Sequence, residues 1–201
     1  MLSAAYERKL ISQGFKLIAG VDEVGRGPLA GPIVAAAVIL PHKFSLPGLN
    51  DSKKLTAKAR ERLFKEIHKV AIGIGIASVG HKMIDKINIG QANLLVMKLA
   101  VEKLLVLPEY LLLDGGRSRV ALRIAQIGIS GGDRKCASIA AASIIAKVIR
   151  DAMMMEYHEK YPRYGFARHK GYGTAEHLKR LEQYGPCAIH RRSFAPVSSF
   201  L

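Results

Sequence analysis

The chain has 201 residues, 49% of them hydrophobic, which is enough for a sizeable core and too many for wholesale disorder. Lys and Arg number 31 against 16 Asp and Glu, and the formal net charge of +15 asks for a polyanionic partner, either nucleic acid or an anionic membrane surface. The membrane alternative fails on length: the longest apolar run, Ile33 to Leu40, is eight residues between Pro32 and Pro41, whereas a spanning helix needs about 20.

Met1 to Lys16 holds no apolar stretch of signal-peptide length. Cys136 and Cys187 lie far apart without a C-x-x-C partner, so reduced thiols are expected and neither a disulfide framework nor a zinc site. A cytoplasmic globular protein is the expectation.

In chain order, a polar lead (Met1 to Gly14) precedes Phe15 to Val24, whose apolar, β-branched content predicts a first strand. Gly25 to Gly31 is a glycine-rich turn, Ile33 to Leu40 a fully buried second strand, and Pro41 to Asn50 a loop. Thr56 is an N-cap, and Leu63, Phe64 and Ile67 at helical spacing predict a helix to Val70. Ile72, Ile74 and Ile76 alternate with small residues as in a half-buried strand. Gln91 to Leu107 reads as a helix with Leu94, Val101, Leu104 and Leu105 inward and Pro108 ending it. Tyr110 to Leu113 is a short strand, Leu122 to Ile129 a fifth, Lys135 to Tyr157 a long buried helix and Thr174 to Tyr184 a last amphipathic one. Three strands followed by helix–strand alternation predict an α/β architecture on a mixed sheet, in one domain spanning residues 1–201 with a helical C-terminal segment from about 174 packed on it.

Most acidic residues fall on helix surfaces among Lys and Arg, as Glu61, Glu66, Glu102, Glu156 and Glu159 do, and suit solvated faces. Four do not. Asp22 and Glu23 sit inside an apolar strand, Asp114 ends Leu111-Leu112-Leu113, and Asp133 follows Gly131-Gly132 ahead of a buried helix. Carboxylates at strand ends lie where α/β sheets form clefts, and like charges gathered there raise each other's pKa unless a cation neutralises them. Hard oxygen donors suit Mg²⁺ or Mn²⁺, and a pair of such ions beside a basic surface suits phosphodiester hydrolysis. Taken singly, Asp114 before Gly115-Gly116 also fits an ordinary turn, and Asp133 a helix cap. His158, His169, His177 and His190 are scattered among basic residues and fit nucleic-acid-facing or structural roles rather than metal ligation.

Gly25-Arg26-Gly27-Pro28-Leu29-Ala30-Gly31 lacks the third glycine of a dinucleotide fingerprint and is followed by a strand. Backbone N–H groups approaching a sugar–phosphate chain, with Arg26 beside them, fit it better, and a tight hairpin connection fits equally. Positive charge concentrates at Ser52-Lys53-Lys54, along Arg163 to Gly173, and at Arg191-Arg192. Aromatic residues interleaved with basic ones and glycines suit stacking on sugars or bases with phosphate contact, and equally a solvated basic surface over packed tyrosines.

The stretch from Ala19 to Pro32 resembles the opening motif of the ribonuclease HII family, and so do Asn50 to Leu55, Leu113-Asp114-Gly115, Ser138 to Lys147, His169 to Thr174 and His190 to Phe194, in the family's order. The resemblance implies the ribonuclease H-like fold, a five-stranded mixed sheet flanked by helices. It implies an endoribonuclease that hydrolyses the RNA strand of RNA–DNA hybrids and cuts at ribonucleotides embedded in duplex DNA, leaving 3′-hydroxyl and 5′-phosphate ends. Asp22, Glu23, Asp114 and Asp133 would be the catalytic, metal-binding carboxylates for two Mn²⁺ or Mg²⁺ ions. Gly25, Arg26 and Gly27 would read the 2′-hydroxyl, Tyr172 would stack on the sugar at the RNA-to-DNA junction, and Lys53 would contact phosphate. A monomer is expected, without the extra C-terminal helices of some relatives. The fourth acid departs from the family pattern, following Gly131-Gly132 where Lys-Gly or Lys-Ala is usual. Arg134 and Lys135 are candidates to replace that cation, and Asp151 is the rival fourth carboxylate. A junction resolvase on the same fold would use the acids but not the glycine–arginine loop. A non-catalytic hybrid binder would need the basic surface but not Asp22, Glu23 and Asp114 together.

Overall fold

The computed structural model describes residues 4–200. Strands β1 (Ile18–Val24), β2 (Ile33–Ile39), β3 (Gly73–Val79), β4 (Tyr110–Asp114) and β5 (Ala125–Ile129) form one sheet in the order β3-β2-β1-β4-β5. A short glycine-rich loop joins β1 to β2, so that pair is antiparallel, as is β2 with β3. The crossover through a helix before β4 lets β4 run parallel to β1, with β5 parallel to β4. The mixed sheet is as expected.

Helices α1 (Ala5–Ser12), α2 (Ala57–Val70), α3 (His81–Glu102), α4 (Ala137–Lys160), α5 (Phe166–His169) and α6 (Ala175–Tyr184) complete the described chain. α3 covers one face through Val96, Met97 and Ala100 against Val21, Leu111 and Leu113. α2 and α4 cover the other through Leu63, Ile67, Ala141 and Ile145 against Val34, Ala36 and Val38. Sandwiched between them, β2 is buried at every position, which explains its uninterrupted apolar run. The Ala-rich start of α4 lies directly on β1: a Cβ at Gly20 would overlap the backbone of Ser138 and Ile139. That close approach brings the helix alongside the acidic end of β1. Among the described residues no helix is long and apolar enough to cross a membrane.

Thr56 caps α2 as predicted, its hydroxyl accepting the Ala59 N–H at 3.2 Å. Other expectations are corrected. The polar lead is helical over Ala5–Ser12, where Leu10 is its one buried anchor. The helix expected over 91–107 begins ten residues earlier at His81 and ends at Glu102, bending at Asn88, whose φ of 65° interrupts it. Leu105 therefore lies beyond the helix and is 99% exposed rather than inward. Asn88 Oδ1 accepts the Gln91 N–H at 3.0 Å and restarts the helix, which is why the sequence pattern shows only the second half clearly.

Candidate active site

Because β1, β4 and β5 run parallel, their C-terminal ends share one edge of the sheet. Asp22 lies one register step past the Val21–Leu113 pair, beside Asp114. β5 leaves the same edge into a short 3-10 turn, Gly132–Arg134, that carries Asp133. Gly131, at φ 61°, makes the bend that turns the chain back over Asp114. The Gly132 N–H then donates to Asp114 Oδ1 at 2.7 Å, pinning the turn to the strand end. The four sequence-predicted carboxylates are thus gathered by the parallel part of the sheet.

Their electrostatics are those of charges held together out of water. Burial first, then Glu23 and Asp114, push Asp22 well above the usual carboxylate range against hydrogen bonds from Ser143 and the Glu23 N–H. Burial pushes Glu23 up to about 7, with Arg26 and Lys53 lowering it and Asp114 raising it. Asp133 is raised by burial, then by Asp51 and Asp114, and lowered by Lys53 and Arg134. Asp151 stands apart, paired to Lys147 at 2.8 Å on α4. Arg134 approaches Asp133 at 3.9 Å, whereas Lys135 donates to the Ser130 carbonyl instead. Sequence reasoning passed over Asp51. Its Oδ1 accepts the Lys53 N–H at 2.9 Å, and Ser52 and Ser143 share a hydroxyl hydrogen bond of 2.9 Å, so the Lys53 turn is anchored to α4 beside the acids.

Donor chemistry, rather than a ready-made cage, fits a divalent cation. Among the described residues no three acidic, histidine or cysteine side chains enclose an ion as they stand. Glu23 Oε2, however, is buried with no hydrogen-bond partner, beside carboxylates whose mutual repulsion a bound cation would relieve. All-oxygen donors match Mg²⁺ or Mn²⁺.

The glycine loop adjoins these acids. Arg26 reaches back to Glu23 at 3.7 Å with its own side chain mostly exposed. Tyr172 is 42% exposed, and its Cε1 would lie 3.8 Å from a Cβ on Gly27. Loop and tyrosine are held by two arginines, of which the sequence singled out only Arg191. Arg191, expected among the surface cations, is fully buried, and its guanidinium donates to the carbonyls of Gly31, Arg26 and Gly25 at 3.1, 2.9 and 2.6 Å. Arg150, also fully buried, donates to the carbonyls of Pro32, Lys170 and Ala30 and lies 5.8 Å from the centre of the Tyr172 ring. With the carbonyls drawn inward, the loop is braced from behind. Of the scattered histidines, His169, His177 and His190 are buried and structural.

A family model described as Ribonuclease HII matches residues 19–197. The chain is 56% identical over 189 residues to the Ribonuclease HII of Acetivibrio thermocellus, spanning 94% of this chain and 73% of that protein. Among solved structures it resembles the ribonuclease H2 from Pyrococcus horikoshii, with a TM-score of 0.78 at 26% identity over 92% of this chain and 96% of the other. It shares its fold with Bst-RNase HIII, solved in complex with Mn²⁺, at a TM-score of 0.70 and 20% identity over 91% and 68% of the two chains.

Proposed function

Since the chain belongs to the ribonuclease HII family, and with it to the endoribonucleases that act on RNA–DNA hybrids, we propose a division of labour among its residues and a second substrate. Cleavage is metal dependent and falls both in hybrids and at a ribonucleotide embedded in duplex DNA, leaving 3′-hydroxyl and 5′-phosphate ends. The observation that carries this reading is the meeting of Asp22, Glu23, Asp114 and Asp133 at one sheet edge, with Glu23 Oε2 buried and unpartnered.

Asp22, Glu23, Asp114 and Asp133 would hold two divalent cations, Mg²⁺ or Mn²⁺. When bound, these ions supply the positive charge that favours attack of water on the phosphate and departure of the 3′-oxygen. Lys53, set beside Glu23 and Asp133, holds a substrate phosphate against the acids. A cluster of this kind has no means of telling ribose from deoxyribose, so selectivity comes from the neighbouring loop. Gly25, Arg26 and Gly27 present backbone to the 2′-hydroxyl, which both donates and accepts hydrogen bonds, and no side chain intervenes at the glycines. The Tyr172 ring packs flat on the next sugar only where that sugar lacks a 2′-hydroxyl. Together they mark a ribose followed by a deoxyribose. In this reading the chain acts as a monomer, and residues from about 174 onward brace the catalytic domain.

The decisive experiment is incubation with a duplex carrying one ribonucleotide, with and without Mg²⁺ or Mn²⁺. A single metal-dependent cut at the ribonucleotide, leaving 3′-hydroxyl and 5′-phosphate ends, supports the reading. Cleavage of long hybrid alone removes the junction-reading role of Tyr172. Full activity in excess chelator removes the metal. Tyr172→Ala should lose roughly ten- to hundredfold on the embedded ribonucleotide, as expected for aromatic stacking, with affinity for duplex little changed.

A further inference from the structure

Tyr172 rests on a row of buried histidines for which the scheme above has no use. His177 is fully buried and His190 is 1% exposed. The groups at either end of the row fix every proton in it. The Cys187 N–H donates to His190 Nδ1 at 2.9 Å, so Nδ1 is bare and the ring proton sits on Nε2. His177 Nδ1 lies 2.9 Å from the Tyr172 carbonyl oxygen, which only accepts, so that Nδ1 carries the proton. Burial pushes both imidazoles down to about 4, so both are neutral near pH 7 and His177 Nε2 is bare. It accepts the His190 Nε2–H at 3.0 Å. The chain of donors runs one way, from Cys187 through His190 and His177 to the Tyr172 carbonyl. His169 stacks on His177 with ring centres 4.4 Å apart, accepting the Gly171 N–H on Nδ1 and hydrogen-bonded through Nε2 to the Tyr164 carbonyl.

We propose that His177 and His190 are positioning residues that fix the Tyr172 ring beside Gly27 and thereby set how strictly the enzyme selects a ribose followed by a deoxyribose. This rests on the reading of Tyr172 given above. The backbone of Tyr172 is held at its N–H by the His169 carbonyl at 2.9 Å and at its carbonyl by the Thr174 N–H at 2.8 Å as well as His177. Of these, only the His177 bond is made by a side chain, and through His190 it links Tyr172 to the residues around Arg191. The next residue after His190 is Arg191, which holds the Gly25 and Arg26 carbonyls, and His190 pairs with Ala30 in an isolated β-bridge. The dipeptide His190-Arg191 therefore sets the stacking ring and the sugar-reading loop in one frame. A half-satisfied chain would free the turn that carries Tyr172 without removing any group that touches substrate.

The test compares kcat and KM on a duplex with one embedded ribonucleotide and on a long hybrid, with thermal melts alongside. His177→Leu deletes the donor to Tyr172, whereas His177→Asn keeps an amide N–H where Nδ1 stood. His177→Leu should cut kcat on the embedded ribonucleotide roughly tenfold, the size expected for one lost hydrogen bond, with KM and hybrid cleavage within about twofold. His177→Asn should restore most of it. In a Tyr172→Ala background, His177→Leu should cost less than about twofold more, because coupled residues are not additive. Equal losses on both substrates, or a full tenfold loss in the Tyr172→Ala background, overturn the positioning role. If His177→Leu does not fold, His177→Asn and His177→Gln decide: Asn must keep the substrate ratio and Gln, with its amide displaced toward Nε2, must lose it, and the reverse order overturns the proposal. If Tyr172→Ala leaves the ratio unchanged, the reading of Tyr172 falls and the positioning role falls with it. An effect of Tyr172→Ala without one of His177→Leu or His177→Gln overturns the positioning role alone.

Discussion

Gly25 and Gly27 stand two residues apart in the same loop, yet alanine should fail at each for a different reason. Gly25 has φ +105°, and a Cβ there would overlap the Arg150 guanidinium and crowd the Pro32 carbonyl. Left-handed strain of about 1–3 kcal/mol adds to the loss of at least one charged hydrogen bond of about 1.5–3 kcal/mol when Arg150 is displaced. Gly25→Ala should therefore destabilise by about 3–5 kcal/mol, which for a chain of this size lowers the melting temperature by roughly 10 °C. Gly27 has no such strain, and a Cβ would meet only Tyr172 Cε1, at an ordinary 3.8 Å. Gly27→Ala should melt within about 2 °C of the parent, with any gain coming from a stiffer unfolded chain. Its cost should fall on catalysis, because the methyl group occupies the space between loop and ring where the ribose must come close. A fall of at least about tenfold in kcat/KM on an embedded ribonucleotide is expected. Paired thermal melts and cleavage assays decide. Gly27→Ala within twofold of parent activity, or Gly25→Ala melting within 2 °C of the parent, would refute the reasoning.

Asp114→Asn should abolish cleavage while keeping fold and hybrid binding. The amide oxygen still accepts the Gly132 N–H, and relief of repulsion on Asp22 and Glu23 should leave metal-free stability unchanged or up to about 1 kcal/mol higher in denaturant titrations. Near-normal activity in Mg²⁺ would remove Asp114 from the site. Lys53→Ala should weaken binding to hybrid and plain DNA duplex alike and make the salt dependence shallower by about one unit of log–log slope. A loss confined to hybrid would mean that Lys53 reads the sugar. His177 and His190, whose pKa values folding lowers from 6.5 to about 4, bind fewer protons folded than unfolded. The stability they confer is complete above about pH 6.5 and is lost as pH falls toward 4, by roughly 3 kcal/mol for each ring at most. Glu176 and His169 face this pair and modulate it. Melting temperatures between pH 7 and 4.5 should fall more steeply for the parent than for His177→Leu, and parallel curves would count against it.

The strands, the α2 cap and the long α4 helix were legible because burial leaves a direct trace in residue type. The apolar run Ile33 to Leu40, bounded by prolines, reads as a strand covered on both faces, and β2 is buried at every position. The acids were legible for the converse reason: Asp22 and Glu23 interrupt an apolar strand that has no structural use for them. Arg150 and Arg191 were not, because an arginine solvated by carbonyls looks in sequence like one solvated by water. Which of the two applies depends on contacts more than a hundred residues away, Arg150 with Pro32 and Arg191 with Gly25. The histidine chain was hidden in the same way, since it joins side chains through a loop rather than along a helix. The early half of α3 escaped because Asn88 breaks its periodicity.

The two buried guanidiniums also give the site a fixed electrical character. Their hydrogen bonds go to six backbone carbonyls, so neither positive charge is cancelled by those contacts, and even Arg191, lowered to about 9, stays charged near neutrality. Dissolved ions screen Lys53 at the surface but do not penetrate to these two. Part of the pull on an approaching phosphate chain is therefore wired into the scaffold, beyond the reach of the medium. A rise in salt would loosen the grip along the duplex while leaving intact the local field behind the glycine loop.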